Sequence, residues 1–268
     1  MQWEHLTNPE FLNAVKNTNL CIIPMGVLER HSDHLPLGTD CFAAHHVACK
    51  AVEQEPAIVF PTFYFGQSNE SRAFPGNISL NPMLTLQILE ELLDEIARNG
   101  IQKILLYSWH GGNIHMTHFL AQTRLWERKP YSLYVYEMDE TLINKITAII
   151  SQPPCHACAW ETSVIMALEP QDVHMEQLPK DPAPPLGRLS NLQNTYTGIW
   201  WYADFPENYT NDAHSASEEK GQKILDAHIE SLLKCIRSVK RDTTVKNLED
   251  EFQNRAEQSY DIITASSD

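Results

Sequence analysis

Three short segments of this 268-residue chain carry residue types that could do chemistry together. The first runs Gly26-Val27-Leu28-Glu29-Arg30-His31-Ser32-Asp33-His34-Leu35-Pro36-Leu37-Gly38-Thr39-Asp40. Glu29 and His31 are two apart, so in an extended segment both side chains leave on the same face. Asp40 follows a loop bent by Pro36 and Gly38. Carboxylates and imidazoles just past a strand end are ligands of the kind that hold divalent transition metals. The bland alternative is an exposed polar loop whose charges face water. The second segment is His110-Gly111-Gly112-Asn113, and the third is His156 with Glu161. Alone, the Gly-Gly turn could merely allow close backbone packing, and Glu161 could merely face a helix dipole. Cys155-x-x-Cys158 could be half of a zinc knuckle. No second pair exists, however, and a structural zinc site needs four closed ligands.

The elements that must position these residues read as strands alternating with helices. A capped helix around Asn8–Val15 precedes the apolar run Leu20-Cys21-Ile22-Ile23-Pro24-Met25, a buried strand that delivers the Glu29 loop. Thr39 or Asp40 then caps a helix to about Glu53, and Ala57–Tyr64 reads as a second strand. Asn81-Pro82 starts a long helix over Met83–Arg98 with a wide apolar stripe. Lys103–Trp109 is a strand that delivers His110, a further helix follows, and Tyr131–Tyr136 is a fourth strand, followed by a helix over Glu140–Ile150. Such alternation predicts a parallel sheet covered on both faces, with ligands bound beyond the strand C-termini. His156 and Glu161 lead into an apolar helix. Pro179–Asn194 reads as an irregular excursion or lid, and Gly198–Tyr202 as a strand or pocket wall. A helix spans about Ser215–Val239. Residues 1–240 are expected to form one domain, and residues 241–268 a peripheral acidic helix and tail.

Composition removes several function classes. With 43% hydrophobic residues the chain can bury a large core, and no apolar run approaches bilayer length. The net charge of −15 opposes nucleic acid and anionic membranes, whose recognition needs clustered Lys and Arg. Six scattered cysteines lack the density of a disulfide scaffold, and the first residues lack the basic and apolar regions of a signal peptide. A reduced, cytoplasmic protein is expected.

Together and in this order, the three segments resemble the creatininase (creatinine amidohydrolase) family. Further echoes are Phe74-Pro75-Gly76-Asn77-Ile78-Ser79-Leu80 and Asp212-x-x-Ser215-Ala216-Ser217-Glu218-Glu219-Lys220-Gly221. The resemblance implies a three-layer α/β/α fold, one or two divalent ions (Zn, Mn or Fe), and a homo-oligomer, often a hexamer. It implies hydrolysis of a C–N bond in a small polar cyclic or linear amide. Carried over by position, Glu29, His31, Asp40, His110 and Glu161 are the expected metal ligands, with Asp40 bridging. His156 is the expected proton donor, since imidazole titrates in the working range. His34 is either a polar group in the site or a partner that orients a ligand.

Departures are informative. Gly112 stands where creatininase proper has an acidic ligand, so Glu161 must replace it, which argues against creatinine itself as substrate. Ser32 stands where Gly usually follows the histidine, and Ser71 where a His is common. The competing readings are a formamide deformylase or cyclic-ketone hydrolase of the same family, and a non-catalytic metal-binding scaffold.

Overall fold

A computed structural model describes residues 1–258; residues 259–268, the end of the expected acidic tail, lie outside the described residues. Four parallel strands, β1 (Leu20–Met25), β2 (Ile58–Val59), β3 (Lys103–Ser108) and β4 (Ser132–Val135), are ordered β2-β1-β3-β4. Strand side chains alternate between two cores, as the pleat requires. Leu20, Ile22, Leu105 and Tyr107 enter one; Cys21, Ile23, Met25, Ile104 and Leu106 enter the other. On the first side pack α2 (Thr39–Gln54), α5 (Glu140–Ile150), α6 (Ala159–Leu168) and α8 (Glu218–Arg241). On the second pack α1 (Asn8–Thr18), α3 (Pro82–Arg98) and α4 (Ile114–Thr123). This is the expected three-layer α/β/α sandwich.

Local chemistry explains most boundaries. Thr7 and Glu10 form a capping box at α1, and Asn81 Oδ1 accepts the Met83 and Leu84 amides at α3. Three expectations need correction. The second strand is not Ala57–Tyr64 but Ile58–Val59: Phe60 N–H still donates to Ile22 O, but the next ladder bond, to Phe60 O, would need the N–H that Pro24 of β1 lacks, and Phe63 rejoins β1 only as an isolated bridge to Met25. Neither Thr39 nor Asp40 caps α2. Gly38 holds that position and Thr39 Oγ1 bonds back to Pro36 O, which leaves the Asp40 carboxylate in the first turn free for other work. Gly198–Tyr202 holds no strand; Trp200–Asp204 is a short helix, α7. The segment from Pro179 to Asn194 is irregular, as expected. The last described helix, α9 (Thr244–Glu257), returns to β4 and the end of α4 through Ser132–Glu249, Arg128–Asp250 and Gln253–Leu125 bonds.

The helices α6 and α8, which carry the site's outer wall, cross at Gly221. A Cβ there would stand 1.9 Å from Ser163 O. Ala normally favours a helix over Gly by about 1 kcal/mol. Here overlap with backbone should outweigh that gain. Gly221→Ala is expected to lower unfolding free energy by about 1–3 kcal/mol in urea titration; a gain in stability would show that the helices can separate freely.

Candidate metal centre

The strand order reverses between β1 and β3, so the loops leaving these neighbours diverge and open a crevice at their C-terminal ends. The loop after β1 supplies Glu29 and His31, and the turn after β3 supplies His110. Asp40 comes from the first turn of α2 and Glu161 from the first turn of α6. All five side chains are buried.

They converge. His110 Nδ1 lies 3.0 Å from Glu29 Oε1 and 3.1 Å from Asp40 Oδ2. His31 Nε2 lies 3.3 Å from Asp40 Oδ1 and 3.6 Å from Glu161 Oε2. Asp40 thus presents one oxygen to each imidazole. Glu29, Asp40 and His110 form one group of potential ligand atoms within 4.8 Å of one another, and His31, Asp40 and Glu161 form a second. A third group joins Glu29 and His31 to His156, whose Nδ1 is 3.6 Å from Glu29 Oε1 and whose ring stacks on His31 at 4.3 Å.

Backbone carbonyls aim the imidazoles. His110 Nε2 donates to Gln67 O at 2.6 Å, His31 Nδ1 to Glu29 O at 3.1 Å, and His156 Nε2 to Arg30 O at 2.9 Å. Each ring therefore turns its other nitrogen toward the carboxylates, the arrangement by which an outer hydrogen bond fixes a ligating tautomer. Glu29 Oε1 and Asp40 Oδ2 are buried without a hydrogen-bond partner, although the His110 nitrogen stands between them at ion-pair distance. Buried anionic oxygens left this way demand a positive centre. The donor set of imidazole nitrogen and carboxylate oxygen fits a divalent transition ion.

Protonation reports the same demand. Burial opposes charge on every group, yet Asp40, Glu161 and Glu29 raise His31 to about 10, and Glu29 and Asp40 raise His110 well above its ordinary value. Burial, reinforced by Asp40, pushes Glu161 up to about 8 despite His31. Glu29 is held at about 2 because the histidines outweigh its desolvation, and Asp40 is likewise depressed. Burial and the nearby His31 lower His156 to about 4, so its ring is neutral at pH 7.

Surrounding residues complete the site. Ser68 Oγ and Ser71 Oγ lie 2.8 and 3.0 Å from Glu29 Oε2, and Asn208 Nδ2 donates to Ser71 Oγ at 2.5 Å. The Ala157 amide donates to Glu161 Oε2 at 2.6 Å. Gln67, Ser68 and Asn208 were invisible to sequence reasoning, because short polar residues in loops carry no spacing signal. Ser71 stood out only as a missing histidine. At Gly112 a Cβ would meet His110 Nε2 at 2.4 Å and Gln67 O at 2.7 Å, so the carboxylate absent there has no room. His34 stands apart from the ligand groups. Its Nε2 lies 2.8 Å from Thr162 Oγ1, one residue from Glu161, and its Nδ1 has no partner. An open cleft of about 450 Å³ beside Arg30, Asp33, Phe74 and Glu207 shares the Arg30 loop but none of the five converging side chains.

The raised groups set a pH dependence for the metal-free protein. His31 and Glu161 bind protons more tightly folded than unfolded, so their stabilisation is full below the unfolded values of 6.5 and 4.5 and is lost as pH rises through about 10 and 8. Denaturant midpoints of chelator-treated protein should fall between pH 6.5 and 10, and fall less in His31→Ala. An equal fall in the variant would place the titration elsewhere.

The creatininase family model, described as creatinine amidohydrolase, matches residues 4–236. The chain is 31% identical over 179 residues to the mycofactocin precursor peptide peptidase of Mycolicibacterium smegmatis, covering 63% of this chain and 66%, just under two thirds, of that protein. It is 23% identical over 251 residues to the creatinine amidohydrolase of Pseudomonas putida, covering 81% and 88%. The 3-dehydro-scyllo-inosose hydrolase of Thermotoga maritima is 23% identical over 258 residues, covering 88% and 83%. A creatininase structure in its Mn form superposes with a TM-score of 0.72 at 22% identity, over 90% of this chain and 99% of that one, which shows the shared fold. These relatives are hydrolases, and the chain belongs to the creatininase family.

Proposed function

We propose that the chain is a metal-dependent amidohydrolase that cleaves a C–N bond of a small polar amide. The observation that carries this reading is the pair of ligand groups sharing Asp40, with histidine nitrogens aimed by backbone carbonyls and one His110 nitrogen left to serve Glu29 Oε1 and Asp40 Oδ2 together. Glu29, Asp40 and His110 would hold one ion, and His31, Asp40 and Glu161 a second. Zn, Mn and Fe all suit this donor set. A bound divalent ion supplies Lewis acidity toward the carbonyl and lowers the pKa of water to near neutrality. The family relatives, including a manganese creatininase, support divalent metal use.

The chain's own residues handle protons. His156 is neutral at pH 7 with Nδ1 free beside Glu29, so it can take a proton from the attacking water at Nδ1 and return it to the leaving nitrogen. The Arg30 carbonyl holds its ring through this exchange. His34 positions Thr162, beside Glu161, rather than touching the reacting atoms. The crowded Gly112 excludes the acidic ligand of creatininase proper and, with the similarity to a peptide peptidase, favours a linear amide over creatinine. The inosose hydrolase relative favours cyclic ketones as the second substrate class to test, alongside formamides.

We also propose a homo-oligomer, in the family manner a hexamer. Trp126 is 90% exposed, with Phe119 and Leu125 beside it, and Trp200 and Tyr202 are also exposed. Exposed apolar patches of this kind mark interfaces. Light scattering at micromolar concentration should return a multiple of the 30.6 kDa chain mass, and a monomer would contradict this.

Turnover of linear amides, cyclic amides, formamides and cyclic ketones, with metal-stripped protein as control, tests the function directly. Asp40→Ala should lose metal and activity together. His156→Ala should keep metal while turnover falls by about 10²–10⁴-fold. Loss of metal in the His156 variant would make it a ligand, unchanged turnover would remove it from the site, and a metal-loaded protein inert to the whole panel would favour a scaffold.

A further inference from the structure

Cys155 and Cys158 are used by nothing described so far. They bracket the turn that holds His156 and Ala157, and Cys158 is the N-cap of α6. Residues three apart across a turn bring their Cα atoms within about 7 Å, inside the reach of a disulfide. The turn already folds one cysteine onto the other: Cys158 Sγ lies 3.0 Å from Cys155 O, and Asn211 Nδ2 donates to Cys155 Sγ at 3.2 Å. Cys155 is half-buried and reachable from solvent; Cys158 is fully buried. Among the described residues neither belongs to any group of three or more metal-ligating atoms, so the zinc-knuckle reading has no support.

The turn is coupled to the metal centre at both of its inner residues. His156 reaches Arg30 O and Glu29, and the Ala157 amide holds Glu161 Oε2 at 2.6 Å. Ala157 adopts a left-handed φ of 54°, a conformation a non-glycine residue keeps only while its surroundings enforce it. We propose that Cys155 and Cys158 form a peroxide-responsive dithiol whose closure to a disulfide shifts the Ala157 amide and weakens the hold on Glu161. The effect on the site rests on the metal-centre reading; the thiol chemistry does not.

The reaction balances with hydrogen peroxide as oxidant. The reachable Cys155 sulfur attacks one peroxide oxygen, the O–O bond breaks, and the second oxygen leaves as water, giving a sulfenic acid. The Cys158 sulfur then attacks the Cys155 sulfur, the S–O bond breaks, and a second water leaves. Two thiols have lost two electrons and two protons, and peroxide has gained them. A dithiol reductant such as dithiothreitol reverses the step by exchange.

The test uses the metal-loaded full chain, treated with a small excess of peroxide, then alkylated and digested. Mass spectrometry should find the peptide holding Cys155 and Cys158 unalkylated and two hydrogens lighter, restored by dithiothreitol, with no such species in Cys155→Ser. Zinc affinity, read by competition with a chromophoric chelator, should fall about 10–100-fold on oxidation, the size expected for a displaced outer partner. The Cys155→Ser, Cys158→Ser double variant should show no fall. Both thiols still alkylatable after Cys49 or Cys235 has been oxidised would overturn the dithiol, and a disulfide with unchanged zinc affinity would overturn its coupling to Glu161. If the reduced protein binds no zinc, the metal reading and the coupling fall together, while the mass readout still decides the thiol chemistry.

Discussion

Everything at the centre of this protein depends on how buried carboxylates are reconciled with burial. Glu29, Asp40 and Glu161 come from three separate elements and meet buried against one another. Isolated charges there would cost several kcal/mol each. Two imidazoles offset that cost in the absence of a cation by taking up protons, which is why His31 and His110 are raised. One His110 nitrogen serves both Glu29 Oε1 and Asp40 Oδ2, so the compensation is shared between two carboxylates. The same atoms would hold a divalent ion in place of those protons, so in the proposed centre metal uptake and proton loss would be two descriptions of one equilibrium.

The fold is arranged to hold that cluster still. The switch of strand order between β1 and β3 separates their loops, and the first turns of α2 and α6 bring acids against the gap. Helix N-termini favour such acids, which helps keep Asp40 charged, whereas burial holds Glu161 up at about 8 despite its place in the first turn of α6. The loop from Gly66 to Asn77 then packs against Glu29 through Ser68 and Ser71, and Gln67 offers the carbonyl that aims His110. Glycine at position 112 is what lets that carbonyl approach.

Most of this layout was legible in the sequence. Apolar strands, capped helices and their alternation gave the layers, and the segment from Gly26 to Asp40 was long enough to mark the ligand loop. Periodicity could not show that β2 would stop after two residues, or that Trp200-Trp201-Tyr202 would be helical, because short apolar runs look alike as helix or strand. The supporting shell was illegible for a different reason. A carbonyl such as that of Gln67 acts through the backbone and leaves no trace in residue type. For His34 the motif left two readings open, a polar group in the site or a partner orienting a ligand, and only the fold shows that its ring bonds Thr162, the neighbour of Glu161.

These nitrogen and oxygen atoms are placed to be the donors of a bound ion. X-ray absorption at the zinc edge of the reconstituted protein measures that most directly. The expected spectrum has a first shell of nitrogen and oxygen only, at about 2.0–2.2 Å, with outer-shell features of imidazole. A sulfur shell at about 2.3 Å would move the ion to the cysteines and contradict the account, and so would protein that takes up no zinc.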